Sequence, residues 1–376
     1  EGNKGRLTAA INHNRVMWTG IHSLSVHDNC PFPKEKCGEL IRLSDYVWSA
    51  TKTKGANISD VVLDSLINID LRISEDLLYK NNHCVLPYLG REGYESMYGD
   101  LCDPRVLNNG LAGISDVVLL AGLVGDPVTK KYPEASHAIN DVGIKNCIDQ
   151  LNGIGLEHLV FVSTCSNYGL IEDDQMADED FELKPLSLYA QAKVATEQYI
   201  TSLKGKVDYT PTVLRFATAF GLSNRMRFDL TVSEFTRELA LGHELLVYDA
   251  NTWRPYCHVR DFGRLIDNVF QAPKEKVAFE IFNAGGEMNN FTKQGIVDAI
   301  LEQLPNAKVK YKEHGVDPRN YRVDFSKVKK ILAFEPKYTI PDGIKEVLDA
   351  FENHVFDHVD DQRNVYGNYE LEYPVK

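Results

Sequence analysis

The sequence predicts an α/β fold in which a doubly wound parallel β-sheet, covered by helices on both faces, is followed by a smaller α/β domain. Short β-rich runs alternate with helix-patterned stretches between residues 45 and 216, an alternation typical of βαβ units. The β-rich runs are almost continuously apolar, as in strands that are buried on both faces of a parallel sheet. The 376 residues are 43% hydrophobic and 25% charged, which is enough for one large or two modest globular domains.

Three β-rich runs are the clearest strands, at residues 116–121, 159–163 and 212–216. Each run ends in small or polar residues, among them Gly122 and Thr164. Because the ligands of an open α/β sheet gather beyond the carboxyl ends of its strands, these residues lie where a binding site is expected.

Beyond residue 221 the alternation of strands and helices becomes less regular. A helix pattern covers residues 232–241, a strand pattern covers residues 245–248, and mixed elements follow residue 279. This change indicates a smaller second domain that closes over the first.

The composition excludes several classes of function. A net charge of −13 without a dense Lys/Arg cluster argues against a nucleic-acid partner. Seven cysteines are spread singly along the chain, so we expect neither a disulfide framework nor a metal site. The sequence contains no apolar run that could cross a bilayer and no basic-then-apolar leader, which predicts a cytoplasmic location without a membrane partner.

Tyr189 and Lys193 are four residues apart in a helix-forming stretch, so the two side chains lie on one helix face. A lysine ammonium beside a phenol lowers the pKa of the phenol, which lets the tyrosine exchange a proton with a hydroxyl or carbonyl group. The same spacing is also typical of a solvated surface pair. The strand end at Thr164, 25 residues before Tyr189, favours catalysis because its hydroxyl can bond the same substrate oxygen.

The run at residues 163–169 together with Tyr189 and Lys193 resembles the extended short-chain dehydrogenases/reductases, the NAD-dependent nucleotide-sugar epimerase/dehydratase family. The resemblance extends over residues 55–336 and implies a Rossmann-type sheet. It also implies that Thr164 supplies the hydroxyl, that Tyr189 is the acid/base group, and that Lys193 lowers the tyrosine pKa and holds the nicotinamide ribose.

The resemblance implies further contacts with the cofactor. By this comparison Asp100 and Leu101 meet the adenine, Ala121 and Gly122 form the strand end under the cofactor ribose, and Asn140 is the asparagine of the following helix.

The glycine-rich turn departs most from the family pattern. Residues 46–59 contain one glycine, Gly55, where three are usual, so side chains obstruct the approach of backbone to a pyrophosphate. A predicted helix at 60–66 and strand at 69–73 follow, with Asp76 at the strand end, where a carboxylate accepts ribose hydroxyls and favours NAD. The charges of Lys52 and Lys54 in this turn compensate for the missing glycines, or the pyrophosphate site is altered or dead.

The substrate side is also inferred from the resemblance. Arg254 matches the arginine that binds the diphosphate, because its planar fork makes two charge-assisted bonds; a domain-interface salt bridge is the alternative. Asp317 and Arg319 resemble the nucleotide-binding end. Thr218 stands where many members of the family have asparagine.

The residues after Thr164 bear on the type of reaction. Sugar dehydratases and glucuronate decarboxylases of this family carry carboxylates there, whereas this chain has Cys165 and Ser166. Epimerisation or reduction of a keto-sugar by hydride transfer therefore remains, and Cys165 is expected to be a small buried residue.

The resemblance predicts an N-terminal extension at 1–44, a dinucleotide-binding Rossmann domain at 45–216, a substrate-binding domain at 217–353 and a C-terminal tail at 354–376. The expected partners are a nucleotide-diphosphate sugar and a second copy in a homodimer. The alternative is a non-catalytic relative that binds a metabolite or a protein and has lost its glycine loop. An RNA-binding relative is disfavoured by the acidic charge balance.

Overall fold

The computed structural model describes residues 99–368, except 173–174, 224, 316–318, 357–358 and 361–365. It also describes residues 41, 44–45, 93–95 and 97. The chain divides into two compact units, residues 1–94 and residues 95–376. Every element named below belongs to the second unit. Gly55, Asp76 and Asp317 lie outside the described residues, as do the predicted glycine turn at 46–59, the helix at 60–66, the strand at 69–73 and almost all of the predicted extension at 1–44. No helix in the described part of the chain is both long and apolar enough to cross a membrane.

The strands of the described residues are β1 (Asp116–Leu119), β2 (His158–Thr164), β3 (Thr210–Phe216), β4 (Thr218–Phe220), β5 (Leu245–Tyr248), β6 (Trp253–His258), β7 (Glu280–Ala284), β8 (Asn290–Thr292) and β9 (Val309–Lys312). The helices are α1 (Pro104–Gly110), α2 (Asp126–Lys131), α3 (Pro133–Ser136), α4 (Ile144–Gln150), α5 (Leu188–Ser202), α6 (Thr231–Ala240), α7 (Val259–Gln271), α8 (Lys274–Val277), α9 (Lys293–Gln303), α10 (Ser326–Leu332) and α11 (Ile340–Glu352). A π-helical turn (His137–Gly143) joins α3 to α4, and 3₁₀ turns follow β2 (Cys165–Tyr168) and β7 (Glu287–Asn289).

Four strands form one parallel sheet in the order β1-β2-β3-β7. In its register Thr164 at the end of β2 pairs with Phe216 at the end of β3. The strands predicted at 159–163 and 212–216 are confirmed, and both begin one or two residues earlier than predicted. The strand predicted at 116–121 ends at Leu119, which leaves Ala121 and Gly122 in the loop beyond the sheet.

The parallel sheet lies between two layers of helices because alternate residues of each strand point to opposite faces. Val160 and Leu214 belong to a buried cluster with side chains of α7. Leu159 and Val213, their neighbours in sequence, belong to a second cluster with side chains of α4 and α5. The predicted doubly wound α/β architecture is confirmed.

Strand β7 lies in the range predicted for the second domain, yet it pairs with β3 in the parallel sheet. The chain therefore leaves this sheet after β3, builds β4, β5 and β6, and returns to it. The predicted domain boundaries remain a prediction.

The remaining strands form smaller sheets of order β4-β6-β8 and β5-β9. A separate buried cluster from α6, α9 and α11 supports them. In the predicted C-terminal tail, Phe356 and Val359 are buried beside α11, and the carbonyl of Tyr366 accepts a hydrogen bond of 2.7 Å from the backbone of Phe228. This part of the tail packs against the unit.

Phe282 on β7 has no exposed surface and packs in the same cluster as α7. We expect Phe282→Ala to lower the free energy of unfolding by about 3–5 kcal/mol, because it removes buried apolar area and leaves a cavity. Urea unfolding measures this change. The control Tyr311→Ala, at a side chain that is 47% exposed, should stay within about 0.5 kcal/mol of the wild type; equal losses would contradict the placement of the core.

Candidate active site

Helix α5 presents a polar face to the sheet. The helix begins after Ser187, whose hydroxyl accepts a hydrogen bond of 3.2 Å from the backbone of Ala190. Tyr189, Lys193 and Glu197 follow at intervals of four residues, so they lie on one face. Tyr189 is half-buried, whereas Lys193 and Glu197 are 7% and 2% exposed.

Lys193 is fastened to strand β2. Its Nζ donates a hydrogen bond of 2.7 Å to the carbonyl of Val162 and lies 4.6 Å from the ring centre of Phe161. The same nitrogen lies 5.7 Å from the ring centre of Tyr189. Burial lowers the pKa of Lys193 to about 8, and the charge of Glu197 opposes that shift. A cation held beside the tyrosine favours its phenolate form.

Thr164 ends β2 and begins the 3₁₀ turn that follows. Its Oγ1 accepts a hydrogen bond of 3.1 Å from the backbone of Ser166 and lies 2.8 Å from the Ser166 hydroxyl oxygen. Two hydroxyl groups therefore lie side by side at the carboxyl end of the strand, where ligands of such sheets bind.

A small crevice of about 10 Å³ between β2, helix α5 and the π-helical turn brings several of the predicted cofactor residues together. Ala121, Asn140, Tyr189 and Lys193 all line it. Asn140 lies in the π-helical turn, and irregular turns of this kind are frequent at functional sites.

Asn140 holds the loop at the end of β1. Its Oδ1 accepts a hydrogen bond of 2.7 Å from the backbone of Leu123, and its Nδ2 donates one of 2.9 Å to the Leu123 carbonyl. Gly122 has φ +149°, and a Cβ there would lie 3.1 Å from Asn140 Oδ1. Glycine therefore allows the loop to follow the asparagine side chain closely.

Asp100 and Leu101 lie in a turn before α1. The exposed Asp100 accepts a hydrogen bond of 2.9 Å from the backbone of Cys102. Leu101 packs against the buried cluster on the α4 side of the sheet. The side chain of Leu101 therefore stabilises the core, and contact of this turn with adenine remains a prediction.

The structure brings together Arg254 and Arg319, two of the predicted substrate residues. The Arg254 guanidinium is buried and donates to the carbonyls of Trp253, at 2.8 Å, and Arg319. It also lies 5.1 Å from the ring centre of Tyr321. Thr218 begins β4, opposite Tyr256 on β6.

Cys165 has a structural role, as the sequence predicts, and His258 and Asp261 have structural roles as well. Cys165 is 1% exposed, its thiol donates to the carbonyl of Arg215, and burial raises the pKa of the thiol. His258 caps α7 by accepting a hydrogen bond of 3.1 Å from the backbone of Arg260. The buried Asp261 carboxylate accepts hydrogen bonds from two backbone groups of the chain before α11.

Sequence reasoning missed the buried ion pair of Glu197 and Arg215. Arg215 Nη2 and Nε donate to the Glu197 carboxylate at 2.8 and 3.1 Å, and both side chains are at most 4% exposed. Burial would lower the pKa of Arg215, but its bonds with Glu197 raise it. The carboxylate also accepts hydrogen bonds from Ser163 Oγ and, at 2.9 Å, from Asn167 Nδ2. The available signal was the spacing of Glu197, one helical turn after Lys193.

The lowered pKa of Lys193 predicts a pH dependence of stability. The folded protein holds the Lys193 proton with a pKa of about 8, compared with 10.5 for an ordinary lysine, so the unfolded chain binds more protons between these values. Stability then rises with pH across this window, by up to about 3 kcal/mol. Urea unfolding at pH 7, 8.5 and 10 should show this rise in the wild type relative to Lys193→Met. A difference between the two proteins that does not change with pH would contradict it.

The comparisons with known proteins agree with this geometry. The model of the family described as the NAD dependent epimerase/dehydratase family matches residues 55–285. An uncharacterized protein of Methanocaldococcus jannaschii is 27% identical over 302 residues, which cover 78% of this chain and 89% of that protein. A UDP-glucuronate 4-epimerase of Thermodesulfobacterium geofontis is 27% identical, over 62% of this chain and 72% of its own.

Solved structures share the fold. A UDP-glucuronic acid 4-epimerase from Bacillus cereus, in complex with UDP-glucuronic acid and NAD, superimposes with a TM-score of 0.65 at 19% identity, over 72% of this chain and 85% of that chain. A dTDP-glucose 4,6-dehydratase double mutant from Streptomyces venezuelae gives a TM-score of 0.63 at 20% identity, over 74% and 84%.

These findings confirm the predicted family, the Rossmann-type fold and the dependence on NAD, and they do not support the non-catalytic alternative. The matched range includes Thr164, Tyr189 and Lys193. The chain belongs to the NAD dependent epimerase/dehydratase family of enzymes.

Proposed function

We propose that the chain epimerises a nucleotide-diphosphate sugar at a ring carbon, with Tyr189 as the acid/base group. The observation that carries this proposal is the Lys193 ammonium, which is bonded to β2 and lies against the Tyr189 ring. The same strand ends in the hydroxyl of Thr164. A base, its activating cation and a hydroxyl therefore belong to one helix and the adjoining strand.

In the proposed mechanism Tyr189 removes the proton of a sugar hydroxyl and later returns it. Lys193 favours the phenolate by its charge, so that a proton can be exchanged near neutral pH. Thr164, oriented by Ser166 at 2.8 Å, hydrogen-bonds the same sugar oxygen and holds the ring carbon in position.

The described residues fit NAD. Gly122 leaves the loop beyond β1 without a side chain, Asn140 holds that loop, and Lys193 lines the crevice beneath it. The chemistry that NAD would supply at this site is reversible hydride transfer with the sugar ring carbon. We propose that Lys193 bonds the nicotinamide ribose and that Ala121 and Gly122 contact the adjoining ribose.

The adenosine end of the proposed NAD site is supported by the sequence. We assign the adenine to the turn at Asp100 and Leu101, which lies beside the helix that holds Asn140. Gly55 for the pyrophosphate and Asp76 for the ribose complete the proposed set and lie outside the described residues.

The substrate diphosphate is assigned to Arg254. Its guanidinium is held by two backbone carbonyls and lies against the ring of Tyr321, so little side-chain freedom is lost when it binds an anion. Arg319, whose carbonyl Arg254 bonds, and Asp317 are assigned to the nucleotide end. Thr218 is assigned to a hydrogen bond with the sugar.

Epimerisation is favoured over dehydration by the residues after Thr164. Ser166 is not a carboxylate, and burial raises the pKa of the Cys165 thiol and keeps it protonated, so neither residue replaces the carboxylates that dehydration uses as acid and base. Relatives are named UDP-glucuronate 4-epimerase and dTDP-glucose 4,6-dehydratase, so the preference for epimerisation rests on the residues after Thr164. Reduction of a keto-sugar is the second candidate, because it uses the same three groups.

We also propose a cytoplasmic homodimer. Cys102, Cys147, Cys165 and Cys257 are free thiols, which suits a reducing compartment. Val142, in the π-helical turn before α4, is an exposed apolar side chain, which suits an interface through the helices beside the sheet. Sedimentation measures the oligomeric state.

The test of the proposed function begins with titration of cofactor-stripped protein by NAD(H) and NADP(H). Nucleotide sugars are then supplied and the products separated by chromatography. An epimerase forms the inverted sugar without net production of NADH, whereas a ketoreductase consumes NADH in equal amount with a keto-sugar. Failure to bind dinucleotide at millimolar concentration would overturn both candidates.

Replacing the acid/base group should abolish most of the turnover. We expect Tyr189→Phe to lower kcat by roughly 10²–10⁴-fold, the usual contribution of general acid–base catalysis, while NAD still binds. Tyr199→Phe is the matched control, since Tyr199 lies on the same helix and bonds Asp149 near the surface. Similar turnover by Tyr189→Phe and the wild type, with the epimerisation product confirmed, would exclude Tyr189 as the acid/base group.

A further inference from the structure

We propose that Glu197 is a positioning residue whose buried carboxylate fastens the turn that carries Thr164 to the helix that carries Tyr189 and Lys193. This inference rests on the proposed function for its catalytic consequence. Glu197 does not itself line the crevice, and its carboxylate accepts hydrogen bonds from Ser163, Asn167 and Arg215, so it acts through its neighbours.

Ser163 and Asn167 flank the segment that bears the hydroxyl groups of Thr164 and Ser166. Ser163 precedes Thr164, and its hydroxyl donates to Glu197 Oε1. Asn167 follows Ser166, and its Nδ2 donates to the same oxygen at 2.9 Å and to Ser163 Oγ at 3.2 Å. One carboxylate oxygen therefore holds both ends of the segment that bears the two hydroxyl groups.

Two side chains of helix α5 fix its register on strand β2. Lys193 bonds the Val162 carbonyl, and Glu197, one helical turn later, bonds the side chain of Ser163, the next strand residue. Rotation of the helix about its axis would break both bonds. The pair therefore fixes the rotation of the helix, and with it the side of the helix on which Tyr189, one turn before Lys193, lies.

The donors around residue 197 require a carboxylate at this position. Arg215 donates from both Nε and Nη2, while Ser163 and Asn167 donate from the other side. Only an anionic group with two acceptor oxygens accepts all of these bonds. Glutamine at position 197 would present one acceptor oxygen and would turn its own N–H donors towards a donor.

The pKa of Lys193 depends on the charged groups around it, so a change at Glu197 can be measured through that pKa. Glu197 and the titratable Tyr189 face Lys193 from its own helix, whereas β2 contributes the neutral Val162 carbonyl and Phe161 ring. The crevice wall opposite adds the neutral amide of Asn140. Arg215 on β3 is the remaining cation of this group, and its charge is balanced by Glu197.

The variant Glu197→Gln removes the negative charge and leaves Arg215 unbalanced. We expect the pKa of Lys193 to fall below its value of about 8 in the intact protein. This is measured without substrate, by NMR titration of protein labelled at the lysine Cε carbons, with Lys193→Arg to identify the signal. The matched control is Asp261→Asn, another buried carboxylate that bonds an arginine, Arg264, and backbone groups, and it should leave the Lys193 titration unchanged.

The kinetic arm separates positioning from general loss of structure. With the nucleotide sugar turned over by the wild type, Glu197→Gln should lower kcat by roughly 100-fold, the effect of a displacement of about 1 Å, with KM nearly unchanged. Ser163→Ala removes the hydrogen bond from the Ser163 hydroxyl to Glu197 but leaves the Glu197–Arg215 pair in place. We expect it to lower kcat by roughly tenfold and to leave the Lys193 titration unchanged.

The outcomes distinguish the inference from the proposed function. An unchanged Lys193 titration in Glu197→Gln, or full kcat in Ser163→Ala, would overturn the positioning role. If Glu197→Gln does not fold, Ser163→Ala alone decides. If the wild type turns over no nucleotide sugar, the proposed function fails, and the Lys193 titration still supports or overturns the coupling of Glu197 to Lys193.

Discussion

The ion pair of Glu197 and Arg215 is the interaction on which the described catalytic region depends. It joins helix α5 to strand β3, and through Ser163 it also joins the helix to β2. Arg215 extends the same network to the buried Tyr168 hydroxyl at 2.9 Å, which donates to Asn283 on β7 at 2.7 Å. Removing one partner of such a pair typically costs about 3–5 kcal/mol because it leaves a buried charge uncompensated.

A buried ion pair is an expensive way to join a helix to a sheet, since apolar side chains of similar volume would often be as stable. The ion pair fixes the orientation of helix α5 on the sheet. Its bonds have defined angles and partners, so the helix has one register on the strands. An enzyme whose tyrosine, lysine and hydroxyl come from two elements needs that register, because the reacting groups must align with a single oxygen.

The sequence was sufficient for the parts of the site that depend on local spacing and burial. Tyr189 and Lys193 were readable from one helical turn, Thr164 from the end of an apolar strand, and Cys165 from its small apolar character. Glu197 was not recognised because its partner Arg215 lies on strand β3, and a contact between elements that are distant in the sequence leaves no local periodicity. Strand β7 was missed for the same reason, since it joins the sheet only after a long excursion of the chain.

The two halves of the proposed active site are held by different means. The catalytic half depends on the ionised pair of Glu197 and Arg215, whose bonds are lost if either residue changes. The substrate half holds Arg254 mainly through backbone carbonyls of Trp253 and Arg319, and these remain when the side chains at those positions change. Substitutions around Arg254 can therefore alter the fit of a sugar or base without moving the arginine. Substrate preference can change in this half while the proton chemistry proposed for Tyr189 and Lys193 stays as it is.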